Sequence, residues 1–180
     1  MKLNGLGSAI QTAEVQPHGP DWLVRASTEL DLLCRTLGSA LSAAEHFGST
    51  AVPGLVAKPT IDLITAAALW PWPEQLHERL RTVGFHFYKA PNPRWRIYLK
   101  AWEGRQRGFH LHIVEEDSSH WKEHLLFRDH LRRHPADAAA YGQLKLELVA
   151  AYPDQLGRYQ AGKAELVRGI MGRAEAEARE

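Results

Sequence analysis

Apolar residues recur along this chain with two different periods, and the changes of period divide it into segments. After Pro20-Asp21, the residues Trp22, Leu30, Leu33 and Leu37 share one helical face and Gly38 closes the run, which predicts a helix. From Ala43 the spacing shortens. Residues 44–47 read as a short strand, residues 48–54 (Gly-Ser-Thr-Ala-Val-Pro-Gly) as a loop, and residues 60–65 as a second strand. Pro71-Trp72-Pro73 opens a helix through Leu76, Leu80 and Val83, which Gly84 ends. Three extended segments follow, over residues 85–89, 94–101 and 108–114, the last two joined by a hairpin connection over residues 102–107. The remainder reads as helical: from Ser118-Ser119 to about His134, from Pro135 to Tyr152-Pro153, and from near Asp154 into a charged tail. Strands first and helices last predict an α+β fold, a mixed sheet with helices packed on one face and a helical C-terminal cover. The expected organisation is a loose arm over residues 1–19, one domain over residues 20–172 and a tail over residues 173–180.

Strand alternation predicts which side chains meet. In residues 94–101, Arg94, Arg96, Tyr98 and Lys100 share one face, and Trp95, Ile97, Leu99 and Ala101 the other. In the next strand His110 and His112 lie opposite Phe109, Leu111 and Ile113, and in the earlier one Asp62 lies opposite Ile61 and Leu63. One sheet is therefore expected to turn an apolar face to its helices and a face bearing Asp62, Arg96, His110 and His112 to a cleft. A solvated sheet face is the plain alternative.

The C-terminal helices add cations. Lys163 falls within the stripe Leu156, Tyr159, Leu166 and Ile170, Lys145 borders Tyr141, Leu144 and Leu148, and Arg128 lies at helical spacing from Trp121 and Leu125. Each could snorkel to water; three on successive helices also fit an anionic ligand such as phosphate.

Phe47-Gly48-Ser49 at the end of one strand, followed by Asp62 on the next, is the layout of a nucleotidyltransferase signature. Glycine lets the backbone approach phosphates, a serine hydroxyl donates to their oxygens, and carboxylates on the following strand hold the divalent metal. The wider stretch from Glu45 through Phe47-Gly48-Ser49-Thr50-Ala51-Val52-Pro53-Gly54 and Lys58-Pro59-Thr60-Ile61-Asp62 resembles the hallmark of the GrpB family, within the nucleotidyltransferase-fold superfamily. His110-Leu111-His112-Ile113-Val114-Glu115 is similar to that family's His-Leu-His strand, and His124-Leu125-Leu126-Phe127-Arg128-Asp129 with Tyr141, Lys145, Tyr159 and Lys163 to its helical end. Val15, Pro17, Pro20 and Trp22 fit its entry segment.

The resemblance implies a nucleotidyltransferase-like fold and a nucleotide or other phosphorylated small molecule as ligand. In the superfamily two carboxylates one residue apart hold two metal ions; here Leu63 and Ile64 follow Asp62, so the second carboxylate is absent. Asp62 with His110 and His112 then makes a site for one divalent metal (Mg²⁺, Mn²⁺ or Zn²⁺), the imidazoles favouring Zn²⁺, Mn²⁺ or Fe²⁺ over Mg²⁺. Asp62 and Arg128 are the expected catalytic residues. Gly48, Ser49, Thr50, Lys58, Arg96, Lys145 and Lys163 are expected to contact phosphate, with Glu115 and Asp129 orienting the cations. The leading expectation is metal-assisted nucleotidyl or phosphoryl transfer. A non-catalytic binding module for a phosphorylated metabolite and a metal-dependent hydrolase on Asp62, His110 and His112 are its alternatives.

Composition adds exclusions. With 44% hydrophobic and 24% charged residues the chain of 180 residues suits one folded domain, and a formal charge of +1 offers no global attraction to nucleic acid or membrane. The single cysteine, Cys34, sits among leucines, is expected to be buried and inert, and excludes an internal disulfide framework. No apolar run approaches the ~20 residues that span a bilayer, and no signal peptide is read, which leaves the cytoplasm as the expected location.

Overall fold

The computed structural model describes residues 14–102 and 104–179 and, for residues 105–107, the backbone alone. Residues 1–13 of the expected arm, Glu103 of the hairpin and Glu180 of the tail lie outside that description. In chain order the elements are α1 (Trp22–Leu37), β1 (Leu41–Phe47), β2 (Ile61–Ala67), α2 (Glu74–Thr82), β3 (His86–Asn92), β4 (Trp95–Trp102), β5 (Arg105–Glu115), α3 (Ser119–Arg133), α4 (Pro135–Ala151), α5 (Leu156–Gly162) and α6 (Ala164–Glu177).

The strands form one sheet in the order β1-β2-β5-β4-β3. β2 and β5 run parallel at its centre, while the other neighbours are antiparallel. A parallel pair needs a crossover, and the chain from α2 through β3 and β4 supplies it. On one face, Trp22, Leu33 and Leu37 of α1 and Leu76 and Leu80 of α2 bury Ile61, Leu63, Tyr98, Leu111 and Ile113. Each such aliphatic side chain contributes about 1.5–3 kcal/mol when fully buried, so this layer dominates the core. On the other face Phe47, Ile64 and Val114 meet Trp95 and, from α3, Trp121 and Leu125. Val52 and Leu55 of the β1–β2 connection pack with Leu131, Tyr141 and Ile170 of α3, α4 and α6. The α+β mixed sheet with a helical C-terminal cover is therefore the fold the chain adopts. Among the described residues no helix is long and apolar enough to cross a membrane.

Several local features depart from expectation. Cys34 is exposed; it follows Leu33 by one residue, and a 100° step around α1 takes it off the buried stripe. Residues 14–19 are tied down: Gln16 and Ala57 exchange backbone hydrogen bonds at 2.9 Å, and His18 Nε2 lies 3.1 Å from Thr50 O. The single helix expected from Asp154 is two, α5 and α6, divided at Lys163. At that junction Gly162 permits a close approach, since a Cβ there would stand 2.4 Å from Leu148 Cδ2. The close approach seats α5 against α4 and turns Lys163 inward.

Candidate functional site

The register of the sheet builds the site. β1 pairs with β2 so that Phe47 is opposite Asp62, and β2 pairs with β5 so that Asp62 is opposite His110 and Ile64 opposite His112. Paired residues point to one side of a sheet, so Asp62, His110 and His112 share the face covered by α3. His110 Nδ1 lies 3.4 Å from Asp62 Oδ1. One ligand atom from each of the three residues lies within 4.8 Å of the others. Gly48 leaves β1 with φ 72°, a conformation that favours glycine, and a Cβ there would stand 2.6 Å from Asp62 Oδ2. The glycine thus brings the backbone up to the carboxylate.

Two hollows meet at these residues. The larger, about 460 Å³, is lined by Asp62, His110, His112 and Lys163 with an aromatic wall of Phe47, Phe127 and Tyr141. The smaller, about 220 Å³, is lined by Ser49, Lys58, Thr60, Lys145, Tyr159 and Lys163, and it shares Asp62 and His110 with the first. Lys58 and Lys163 approach the Tyr159 ring, with Nζ 4.8 and 4.5 Å from its centroid. Lys145 is buried, with its Nζ 4.7 Å from the Tyr141 ring centroid. Its ammonium donates to Ser49 Oγ at 3.1 Å and to Val56 O.

Burial sets the charges. It holds the His112 imidazole at about 3, with neighbouring histidines adding to the effect against Asp62, so the ring is neutral near pH 7. His46 and His120 are lowered to about 4, again first by burial. Burial pushes Asp62 upward, but the hydrogen bond to His110 and the charges of His110, His112 and His46 leave it below the usual carboxylate value. Burial and then the charge of Lys163 bring Lys145 down to about 7; burial and then Lys58 bring Lys163 to about 8. The result is one carboxylate and a neutral His112 beside lysines whose protons are held less tightly than usual.

Most expected site residues converge here: Gly48, Ser49, Asp62, His110, His112, Lys58, Lys145 and Lys163. Thr50 reaches the wall of the smaller hollow, yet its hydroxyl is 2.9 Å from His46 Nε2 and it is itself buried. Two cations do not converge. Arg96 pairs in register with Ile113, and that places it on the opposite face of the sheet, 5.2 Å from the Trp70 ring. Antiparallel register, which one strand's alternation does not reveal, puts Ile97 and Leu99 beside His112 and His110 instead. Arg128 is buried and already paired: Nε and Nη2 donate to Asp129 at 2.7 and 3.1 Å, and Nη1 to Glu45 and His46 O at 2.8 Å each. It ties α3 to β1 and lines neither hollow, which corrects its expected catalytic role. Asp129 does orient Arg128, whereas Glu115 pairs with the largely exposed Arg94 at 3.1 Å. The reading of single residues missed His120, whose ring nitrogen lies 3.4 Å from His112 Nδ1, and Gln160, which lines both hollows. The signal for the first was its spacing from His124, one turn away on α3.

The GrpB protein family model matches residues 12–173. A UPF0157 protein of Pseudomonas aeruginosa is 36% identical over 164 residues, covering 89% of this chain and 67% of its own length. The UPF0157 protein YqkA of Bacillus subtilis is 31% identical over 155 residues, covering 86% of this chain but only 45% of its own. The crystal structure of the conserved protein GrpB from Enterococcus faecalis overlays with a TM-score of 0.84 at 30% identity, over 93% of this chain and all of that one. The poly(U) polymerase Cid1, solved with its short product ApU, overlays at TM-score 0.49 and 20% identity over 74% of this chain and 41% of its own, too partial an overlay to bear on activity. On the family match and the full-length overlay with the Enterococcus protein, the chain belongs to the GrpB family.

Proposed function

We propose that this chain is a metal-assisted transferase of nucleotidyl or phosphoryl groups, acting on a nucleotide or other phosphorylated small molecule. The observation that carries the reading is that a carboxylate and two imidazoles adjoin a chamber walled by three lysines. One of those imidazoles, His110, has a buried Nε2 with no hydrogen-bond partner among the described residues. An unsatisfied buried nitrogen costs about 1–3 kcal/mol, which a bound ion or ligand offsets. One carboxylate and two imidazoles suit a single Zn²⁺ or Mn²⁺ ion. They do not suit a pair of Mg²⁺ ions: Ile64, two residues after Asp62 and on the same face, is buried against Phe47 and Val114 where a second carboxylate is needed.

Asp62, His110 and His112 would hold that ion, which supplies positive charge beside the oxygens of a transferring group. The chain's own residues do the rest. Lys58, Lys145 and Lys163 neutralise phosphate oxygens. Ser49, whose oxygen accepts from Lys145 and which also hydrogen-bonds Tyr141, presents its hydroxyl to the same phosphate. Phe47, Phe127 and Tyr141 receive the organic part of the substrate in the larger hollow, whose size suits a small ligand.

Calorimetric titration with ATP in Zn²⁺, in Mn²⁺ and in EDTA tests the reading. Ser49→Ala with Lys58→Ala is expected to weaken binding about tenfold or more for each lost charge-assisted contact; unchanged affinity would sink the site. The buried Ile64 favours a second reading, a binding module without catalysis. It predicts full affinity in EDTA and no turnover with either metal.

A further inference from the structure

A second cluster of metal-ligating groups lies where the end of α3, the start of α4 and the end of α6 meet. His130, in the last turn of α3, is 1% exposed. Its Nε2 is 2.7 Å from Asp137 Oδ2, and its Nδ1 is 3.4 Å from Glu177 Oε2. His134 Nε2 is 3.0 Å from the same Glu177 oxygen. The three ligand atoms of His130, His134 and Glu177 lie within 4.8 Å of one another.

The geometry around His130 makes this more than a set of ion pairs. The 2.7 Å contact with Asp137 engages one ring nitrogen, Nε2. The other, Nδ1, faces Glu177 and is a buried atom with no hydrogen-bond partner among the described residues. Ligands held at about 2.0–2.1 Å around a tetrahedral Zn²⁺ stand roughly 3.3 Å apart, close to the 3.4 and 3.0 Å separations here. Asp137, behind His130, supplies the carboxylate that orients a metal-bound imidazole through its far nitrogen. Arg173 balances the charge of Asp137 at 2.6 Å, and Arg133, 3.8 Å from Glu177, has a side chain 60% exposed and able to swing aside.

We infer that His130, His134 and Glu177 form a second transition-metal site, of the zinc class, that pins the end of α6 to the α3–α4 corner. Its open side accepts water, because His134 and Glu177 are about 38% and 39% exposed. Glu177 lies beyond the residues matched by the family model.

The test uses the full chain without a histidine tag, stripped by chelator and titrated with Co²⁺, whose visible absorption reports tetrahedral ligation. Asp62→Asn with His112→Gln silences the first cluster. That variant is expected to bind one Co²⁺ per chain, displaceable by Zn²⁺. Adding His134→Gln and Glu177→Gln, both at exposed positions, is expected to lower affinity at least a hundredfold while leaving metal-free melting unchanged. Asp137→Asn is expected to weaken binding about tenfold. No Co²⁺ bound by the silenced chain would overturn the site. Undiminished binding after the His134 and Glu177 changes would overturn it equally. Neither result bears on Asp62, His110 and His112.

Discussion

Lys145 is 2% exposed, and its ammonium donates to one hydroxyl and one carbonyl. Burial brings it to about 7, far below the ordinary lysine value of 10.5. Below pH 7 the folded and unfolded chains both hold the proton, and the penalty for burying it stands in full. Between about pH 7 and 10.5 the unfolded chain holds more protons than the folded one, so this residue's contribution to stability rises with pH. Phosphate binding follows the opposite sign, because only the protonated amine attracts it. From pH 6 to pH 9, ATP affinity is therefore expected to fall by up to about a decade per pH unit for each proton taken up, while Lys145→Met flattens both the affinity profile and the stability profile. Parallel profiles for the two proteins, from calorimetry and urea melts, would remove Lys145 from the site. Arg128 separates structure from binding at the same scale. Arg128→Lys abandons the two-pronged contact with Asp129 and part of the link to Glu45 and His46. The change is expected to cost about 1–3 kcal/mol in a denaturant melt, the partners being half-exposed, and to leave ATP affinity unchanged.

At the scale of elements, α3 is the bridge between fold and site, since it carries His120 and His124 to the sheet and Arg128 to β1. Its first turn is capped by Ser118, whose side chain accepts from Trp121 N at 3.3 Å. Ser118→Ala is expected to lower stability by about 1 kcal/mol and to loosen the contact of Trp121 with Phe47, Ile64 and Val114, read as faster amide exchange in the first turn of α3. Equal exchange in the two proteins would show that packing alone holds that turn. The cap was legible in advance because Ser118-Ser119 precedes an apolar-periodic run. The Gly48-Ser49 turn and Asp62 were legible for a similar reason: local backbone chemistry needs those residue types in that order. The phase of β4 was not legible. Both of its faces carry large side chains, and only the pairing of Ile97 with His112 decides which one meets the site. Nor was the seating of α5 on α4, because the close contact behind it is between Gly162 and Leu148, on a different helix. Register and close packing are long-range facts that no short window of residues contains.

The whole molecule places its candidate site across a seam. Ser49, Lys58, Asp62, His110 and His112 come from the sheet and the β1–β2 connection, whereas Tyr141, Lys145, Tyr159 and Lys163 come from α4, α5 and the turn before α6. A ligand filling both hollows therefore touches both halves, and it adds contacts between the sheet and the cover where the lysines now face one another. Anything that binds only the folded state stabilises it by mass action, by about 2.7 kcal/mol at a hundredfold excess over Kd. For a chain of this size that amounts to roughly 5–10 °C in Tm, since 1 kcal/mol moves the midpoint by about 2–4 °C. The distribution of that stabilisation is the sharper prediction. Amide exchange is expected to slow in α4, α5 and the start of α6 as well as in β2 and β5 when ATP and Zn²⁺ or Mn²⁺ are added together. A ligand that rested on the strands alone would protect β2 and β5 and leave the helices exchanging as before. That outcome would separate Lys145 and Lys163 from the binding function and return them to the role of buried, costly cations.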